Sequence, residues 1–359
     1  MKDPTLTPAV VIGAGLVGAS VGAALVKAGV DVHLVDAVSS HARVAASRGC
    51  GTTDPVDPAS VRLVVVAVPP ARLADVIAGA LETYPKATVT DVGSVKGTVL
   101  ADLRARGLNL ARYVGSHPMA GSQRVGPLTS RADLFVDRTW VITEHDTVKA
   151  KAVLAVQHLA GLCGARIVTM GATHHDEAVA QVSHLPQLMS TLTAGRLNEV
   201  PGEHLKLAGQ GLRDVTRIAE SDPKMWTQII AANSEAVRVE LEAIAESLTE
   251  LLEHWGDPDA LRQFLTDGRR GIRALLGKHG SVAGDYGQVV VAIPDAPGAL
   301  ARLFADIEDA GVNVEDVRIE HDPDREVGYL AVQVAKAARA SLEDAMSAAG
   351  WTLRYTESI

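Results

Sequence analysis

Cysteine, long apolar runs and blocks of like charge are scarce or missing in this sequence. The two cysteines, Cys50 and Cys163, have neither metal-ligand nor disulfide-framework spacing, so we expect reduced thiols and no metal site. No apolar run reaches the roughly 18 residues that span a bilayer, and the N-terminus has no signal-peptide pattern. A net charge of -9 argues against a general nucleic-acid partner. We therefore expect a cytoplasmic protein with neither a membrane nor a nucleic-acid partner.

A glycine-rich turn between a strand and a helix opens the sequence. Ala9–Ile12 is a short apolar run typical of a buried parallel strand, and it leads into Gly13–Gly18 and then a helical pattern. Gly13 permits a tight turn, Gly15 lets the backbone approach a pyrophosphate, and Gly18 allows close helix–strand packing. The helix N-terminus also offers unpaired N–H groups to phosphates. This arrangement predicts a dinucleotide-binding domain.

The ends of two further strands complete the predicted cofactor site. Asp36 ends the next strand, where its carboxylate accepts from ribose hydroxyls and repels a 2′-phosphate, so NAD is favoured over NADP. Val68 and Pro69 end another strand at the crevice, and they either contact the cofactor or only shape the loop. The predicted cofactor-binding residues are therefore Gly13, Gly15, Leu16, Val17, Gly18, Asp36, Val68, Pro69 and Ser94.

Two polar residues follow later strand ends and are candidates for chemistry. Ser94 lies just past a strand, where a helix begins, so it either caps that helix or bonds to the substrate or the catalytic base. His117 follows a strand that we expect to end at Gly115, and it should face the same crevice. A neutral imidazole there accepts a proton from a substrate hydroxyl as hydride leaves the same carbon. The alternative is a structural histidine.

From Gly171 onward, helical periodicity replaces the alternation of strands and helices. Pro186 interrupts an apolar helix and is expected to kink it. Three polar residues lie beside the kink, and they either satisfy the freed backbone groups or line a pocket: Ser183, His184 and Gln187.

Further along, Asp214 precedes Arg217 by three residues and can orient its guanidinium toward a carboxylate, or form a surface ion pair. Leu212, Val215 and Ala219 should form the packed face of this helix. A longer apolar stripe follows, most simply part of the core and, by extension, a two-fold dimer interface. Its members are Val237, Leu241, Ile244, Leu248 and Leu251.

These patterns predict an α/β protein with three domains. A Rossmann-like dinucleotide-binding domain covers residues 1–170, and an all-α domain for substrate binding and dimerisation covers 171–276. The glycine-rich residues 277–286 form a linker. Strand and helix signals over 287–359 follow the order βαββαβ, which predicts a ferredoxin-like domain.

Together, these motifs resemble the prephenate/arogenate dehydrogenase family of tyrosine biosynthesis, and residues 287–359 resemble an ACT domain. The matching blocks occur in the family's order and are Gly13–Gly18, Asp91–Gly97, Gly115–Gly121, His174–Asp176, Ser183–Pro186 and Arg213–Trp226. The resemblance implies an NAD-dependent enzyme that oxidatively decarboxylates prephenate to 4-hydroxyphenylpyruvate. The alternative substrate is arogenate, which gives tyrosine directly.

The resemblance also implies roles for individual residues. His117 polarises or deprotonates the ring hydroxyl, Ser94 assists it, and Arg217 binds a substrate carboxylate. The implied substrate-binding residues are Gln123, Ser183, His184, Gln187, Asp214 and Trp226. Gln123 and Gln187 depart from the family, in which many members carry an acidic residue and a histidine at these positions. A neutral Gln187 has no carboxylate to pair with the amine of arogenate, which favours prephenate.

The implied partners are a second copy of the chain, bound through the helical domain, and an effector of the ACT-like domain. The effector would contact Asp295, Gly298 and Asn313, and tyrosine is the expected molecule; a purely structural or oligomerising domain is the alternative.

β-Hydroxyacid dehydrogenases are a rival class, but they rely on a lysine where this chain has Asp214 and Arg217. A catalytically silent sensor of NAD or amino acids would leave His117 and Arg217 without a shared role.

Overall fold

A computed structural model describes residues 5–120, 126–274, 286–294, 296–321 and 327–354. The chain divides into two units, Met1–Ser247 and Leu248–Ile359. Gln123 and Asp295 lie outside the described residues, so the predictions for them stay untested. None of the described helices combines the length and the apolarity that a membrane span requires.

The first unit begins with alternating strands and helices. Its strands are β1 Ala9–Ile12, β2 Val32–Val35, β3 Leu63–Val66, β4 Thr88–Asp91, β5 Tyr113–Pro118, β6 Thr139–Glu144 and β7 Arg166–Gly171. The intervening helices are α1 Leu16–Lys27, α2 Ser39–Ser47, α3 Leu73–Thr83, α4 Gly97–Ala105 and α5 Ala150–Leu162. The strands form one sheet in the order β2-β1-β3-β4-β5-β6-β7. Every neighbouring pair is parallel except β5 and β6.

Both faces of this sheet are covered by helices. Alternate strand residues point to opposite faces, so Val11 joins one core with α1 and α5, while Val10 joins another with α3 and α4. β2 lies on one side of β1 in the sheet, and β3 lies on the other, so the strand order reverses at β1. This reversal opens a crevice at the carboxyl ends of β1 and β3, where ligands of such sheets bind.

Strand β5 is longer than we predicted. Its expected end was Gly115, but antiparallel pairing with β6 continues through His117, opposite Val141, and Pro118, opposite Trp140. The histidine and the proline give no apolar β signal, and only the neighbouring strand reveals the extension. His117 is therefore held within a strand rather than in the loop after it.

The rest of the first unit is helical. Its helices are α6 Ala172–Val179, α7 Leu185–Arg196, α8 Gly202–Leu205, α9 Gln210–Thr216, α10 Pro223–Ala232 and α11 Ser234–Glu253, and α11 crosses the boundary between the units. A π turn, Ala180–His184, separates α6 from α7, and Pro186 lies in the first turn of α7. The predicted interruption is thus a wide turn that ends just before the proline.

The expected packed faces of two helices are only partly buried in the single chain. On α9, Val215 is 54% exposed, and on α11 Ile244 is 38% exposed although Val237 is buried. Helical spacing identified the apolar side of each helix, but these two side chains stay exposed in the single chain. Val182 on the π turn is exposed as well. This region therefore presents apolar side chains at its surface.

The second unit contains a four-stranded sheet backed by helices. After α12 Pro258–Arg273, its elements are β8 Tyr286–Pro294, α13 Ala299–Asp309, β9 Val314–His321, β10 Val327–Ala335, α14 Lys336–Ala348 and β11 Thr352–Arg354. The sheet order is β11-β8-β10-β9, with antiparallel pairing throughout. Val291, Leu303 and Leu342 belong to a core between the sheet and the helices α13 and α14. The predicted βαββαβ order of elements is present.

Candidate active site

The glycine turn is shaped by close packing and leaves room for a ligand. Gly13 has a φ of 102°, and a Cβ there would collide with the carbonyl of Ala67 just beyond β3. A Cβ on Gly18 would collide with the Gly13 carbonyl. At Gly15, by contrast, a Cβ would meet nothing within 4 Å. Gly13 and Gly18 therefore close the turn, and Gly15 keeps the space in front of α1 open.

The structure contains the features that a dinucleotide needs at this turn. Because Gly15 precedes α1 and has no side chain, it cannot cap the first-turn N–H groups, which are suited to a pyrophosphate. Asp36 is held at the turn, since its Oδ2 accepts from Ala14 N (2.7 Å) and its Oδ1 from Val38 N (2.8 Å). Leu16 is buried in the first turn of α1. These residues fit NAD, and its ribose would meet the Asp36 carboxylate.

Other predicted cofactor residues lie at the same edge of the sheet. Val17 is partly buried in α1. Val68, partly buried, and Pro69, exposed, follow the carboxyl end of β3, next to β1. Their contact with a cofactor stays a prediction.

His117 lies beside a second histidine. His117 Nδ1 is 2.9 Å from His175 Nε2, and the two rings meet edge-on with an interplanar angle of 72°. His175 is fully buried in α6, and its Nδ1 lies 2.8 Å from Asp176 Oδ1. The catalytic candidate on β5 is thus connected to a buried carboxylate on α6.

The Asp176 carboxylate also caps α4. Its Oδ1 accepts from Lys96 N (2.8 Å) and its Oδ2 accepts from Gly97 N (2.7 Å), the first residue of that helix. The idea that Ser94 caps α4 is wrong, because the helix starts three residues later, at Gly97. Among the described residues, no hydrogen bond joins Ser94 to His117, so its assisting role stays a prediction.

A buried ion pair lies behind His117. The Lys96 ammonium, 1% exposed, pairs with Asp91 and donates to the Ser116 carbonyl at 2.8 Å. Tyr113 donates its hydroxyl proton to the other oxygen of Asp91 (2.9 Å). The pairing with Asp91 and the bond to Ser116 offset the cost of burying this ammonium group. The ion pair therefore lies next to the strand that carries His117.

This environment keeps His117 neutral. Burial, followed by the neighbouring His175, Lys96 and His184, holds the pKa of His117 well below its ordinary value. Each cause disfavours the charged imidazolium, since the ring is desolvated and the lysine repels a second cation. A neutral imidazole is the form that accepts a proton.

His184 and Trp226 form a second polar cluster at the π turn. Asn233 Nδ2 lies 3.2 Å from His184 Nδ1 and also donates to the Asp176 carbonyl (2.8 Å). Burial lowers the pKa of His184 to about 4, with His175 adding to the shift and Asp176 opposing it. Trp226 meets the His184 ring edge-on, with ring centroids 5.9 Å apart. His184 is therefore a neutral, anchored ring in this cluster.

The predicted carboxylate-binding segment is anchored through Gln187. Its Nε2 donates to the Ile218 carbonyl (3.0 Å), in the short 3-10 turn Arg217–Glu220 that follows α9. Arg217 itself is exposed on that turn. Asp214 accepts from Gln210 Nε2 (2.8 Å), so the proposed orientation of Arg217 by Asp214 stays a prediction. Gln187 thus donates to the backbone of a different segment and not to the groups beside Pro186, and its role in lining a pocket stays a prediction.

Sequence reasoning missed several residues of this site. Asp176, Lys96 and Asn233 were not assigned roles, although each is buried and hydrogen-bonded around the histidines. Helical spacing alone could have indicated His175 and Asp176, because it places both on the buried side of α6, where polar side chains need partners. No local pattern shows that their partner is the N-terminus of α4.

Comparison with known sequences identifies two regions of the chain. A family profile described as prephenate dehydrogenase, nucleotide-binding domain, matches residues 21–169, and one described as prephenate dehydrogenase, dimerization domain, matches residues 171–266. A Streptomyces niveus protein named probable prephenate dehydrogenase NovF is 36% identical over 88% of this chain and 91% of its own length. Cyclohexadienyl dehydrogenase of Zymomonas mobilis is 32% identical over 75% of this chain and 96% of its own length.

Solved structures give the same assignment. Prephenate dehydrogenase from A. aeolicus, in complex with hydroxyphenyl propionate and NAD+, has a TM-score of 0.67 and 26% identity, over 76% of this chain and 99% of its own. Synechocystis arogenate dehydrogenase has a TM-score of 0.63 and 25% identity, over 74% of this chain and 99% of its own. The chain therefore belongs to the prephenate dehydrogenase family, as its motifs led us to expect, and is an NAD-dependent oxidoreductase.

Proposed function

We propose that this chain oxidatively decarboxylates prephenate to 4-hydroxyphenylpyruvate. The observation that carries the proposal is the neutral His117, held on β5 at the same carboxyl edge of the sheet as the glycine turn. NAD+, when bound at that turn, supplies the hydride acceptor. The protein then has to orient the substrate and take up one proton, because loss of CO₂ and formation of the aromatic ring provide the driving force.

In the proposed reaction His117 acts as the general base. It takes the proton of the ring hydroxyl while hydride leaves the carbon that carries this hydroxyl. The bond between the ring and its carboxylate then breaks, CO₂ departs, and the electron pair enters the ring to give a phenolate. His117 returns the proton to the phenolate oxygen, so base and product are both neutralised at the end of the cycle.

Arg217 and Ser94 are proposed to position the substrate. Arg217 lies on the 3-10 turn that Gln187 anchors through the Ile218 carbonyl, and from there it would bind a carboxylate of the substrate. Ser94 lies partly buried in the loop between β4 and α4, at the carboxyl edge of the sheet, where a hydroxyl can reach the reacting oxygen or the base.

The preference for prephenate over arogenate rests on the polar residues of the π turn and the start of α7. Ser183, Gln187 and the neutral His184 offer no negative charge to an ammonium group. Arogenate dehydrogenase activity is the second candidate, favoured by the structural similarity to the Synechocystis enzyme. Parallel assays of NADH formation with each substrate and NAD+ test the choice. A higher kcat/KM for prephenate is expected, and a higher value for arogenate would overturn the preference.

We further propose that the chain forms a homodimer through the helical part of its first unit. Val182, Val215 and Ile244 are exposed apolar residues on three elements of the region that matches the dimerization profile. Light scattering after gel filtration should give twice the chain mass. Ile244→Glu should shift the protein toward the monomer, and an unchanged mass would argue against this face.

For the second unit we propose regulation by tyrosine, as the resemblance to an ACT domain implies. Gly298, with a φ of 86°, precedes α13, and Asn313 follows that helix, where it donates to Glu315 (2.8 Å). Calorimetric titration of tyrosine into the full chain should detect binding, and Asn313→Ala should weaken it.

The cytoplasmic location stays a prediction, which fractionation of expressing cells would test.

A further inference from the structure

The three contacts of the Asp176 carboxylate determine where the proton of His175 resides. Lys96 N and Gly97 N are backbone donors, so the carboxylate must accept from both. With these partners the carboxylate needs no proton of its own, and the 2.8 Å contact with His175 Nδ1 requires a proton on that nitrogen. In the neutral form of the His175 ring, the lone pair is then on Nε2.

The same reasoning extends to the catalytic histidine. His175 Nε2 is 2.9 Å from His117 Nδ1. Two lone pairs at this distance would repel each other, so His117 Nδ1 must donate to His175 Nε2. A neutral His117 protonated at Nδ1 has its lone pair on Nε2, the ring nitrogen that is not engaged by His175.

We propose that His175 and Asp176 are positioning residues that fix the tautomer of His117, so that its Nε2 is the atom that receives the substrate proton. The proposal rests on the proposed function and specifies its base at the level of a single atom. When the hydroxyl O–H bond breaks, a new N–H bond forms at His117 Nε2. The resulting imidazolium keeps donating through Nδ1 to neutral His175, whose own proton stays between it and the Asp176 carboxylate.

The hydrogen bond that His175 accepts can be removed or kept by substitution. His175→Ala removes the acceptor and leaves both tautomers of His117 available. His175→Gln places an amide oxygen close to the former Nε2 position, where it can still accept from His117 Nδ1. We expect kcat to fall on the order of 100-fold in His175→Ala and to stay within about tenfold of wild type in His175→Gln, with KM values changed by less than about threefold.

These two variants separate a positioning role from a structural one. If His175 were needed only for packing, the glutamine and alanine variants would lose similar amounts of activity. In both variants the loss of activity would then be accompanied by a lower melting temperature. Equal losses in the two variants would contradict the proposal. Thermal unfolding and NAD binding, measured for each, identify a variant that fails to fold.

A direct reading of the tautomer does not depend on activity. In a ¹⁵N-histidine-labelled full-length chain, the ring nitrogens of His117 can be assigned by comparison with His117→Asn. We expect a protonated Nδ1 and an unprotonated Nε2 at neutral pH, and a shift toward the other tautomer in His175→Ala. A protonated Nε2 in the wild type would overturn the proposal. Full activity of His117→Asn would instead refute the proposed base while leaving the tautomer result intact.

Discussion

Two helix N-termini at the carboxyl edge of one sheet are used in opposite ways. The N-terminus of α1 follows Gly15, where a side chain would meet open space. The N-terminus of α4 is filled by the Asp176 carboxylate, which accepts from Lys96 N and Gly97 N. Both helices present N–H groups and the positive end of a helix dipole. One end is left open for an anion of the cofactor, and the other is closed by an anion of the protein.

The two helix N-termini also differ in the chemistry that they can serve. An open N-terminus binds a ligand that enters and leaves. A closed one is occupied by the Asp176 carboxylate, which also contacts His175, and His175 in turn contacts His117. The same backbone feature thus serves cofactor binding in one place and organisation of the base in the other.

Of the changes at the two helix N-termini, removing the charge at the closed end should have the larger effect. Asp176→Asn keeps the size of the side chain but supplies an N–H₂ group that must face a backbone donor or His175. We expect kcat to fall on the order of 10³-fold, and the free energy of unfolding to fall by about 1–3 kcal/mol. Steady-state kinetics and thermal unfolding measure both.

The exposed neighbour provides the control for that variant. Glu177→Gln removes one negative charge from the same helix at a solvent-exposed position, and it should leave kcat and unfolding unchanged. If Asp176→Asn retained kcat within about threefold of the wild type, the closed N-terminus would have no role in the chemistry.

Closing the open end should weaken cofactor binding without harming the fold. Gly15→Asp adds a carboxylate before α1, where space is available and where such a residue stabilises a helix. We expect the Kd for NAD+ to rise on the order of 100-fold, an energy of about 2.7 kcal/mol, while the melting temperature stays level or rises. Calorimetry with NAD+ measures the affinity. Gly15→Asn, which has nearly the same volume without charge, should lose less, and equal losses would argue against repulsion as the cause.

The pH profile should report the low pKa of His117. A base acts when it is deprotonated, so activity is kept above its pKa and lost as pH falls through it. Burial, His175, Lys96 and His184 all lower the pKa of His117, and the Asp176 carboxylate is separated from it by His175. The midpoint of the acid limb should therefore lie well below pH 6.5. We expect kcat/KM for prephenate to be constant between pH 8 and pH 6.5, and a midpoint at or above pH 6.5 would contradict the described environment.

The smallest expected effect concerns the choice between cofactors. Asp36→Asn removes the negative charge at the ribose position but keeps an oxygen that can accept from Ala14 N. The ratio of kcat/KM for NADP+ to that for NAD+ should rise about tenfold, because the repulsion of a 2′-phosphate is lost. An unchanged ratio would mean that another residue excludes NADP+.

Local features of the site could be predicted from the sequence, whereas the contacts between distant segments could not. The turn Gly13–Gly18 and the Asp36 strand end follow from a pattern confined to one βαβ unit. The cap of α4, however, joins Asp176 to residues about 80 positions earlier in the sequence. Ser94 was the nearest capping residue in the sequence, but the helix begins at Gly97, beyond its reach.

Pairing and burial show the same limit. The extension of β5 through His117 depends on antiparallel pairing with β6, which no local β propensity encodes. Periodicity found the apolar side of α9 and α11, but it could not tell whether the chain itself covers that side, and Val215 is exposed. Amphipathic spacing predicts an apolar surface and leaves its partner undetermined.

The most direct test compares wild type and His117→Asn in NADH formation with saturating NAD+ and prephenate. We expect the wild type to turn over prephenate, and the variant to lose about 10²–10⁴-fold in kcat while binding NAD+ with unchanged affinity. An active variant, or a wild type that forms no NADH with either prephenate or arogenate, would contradict the assignment of His117 as the base of a prephenate dehydrogenase.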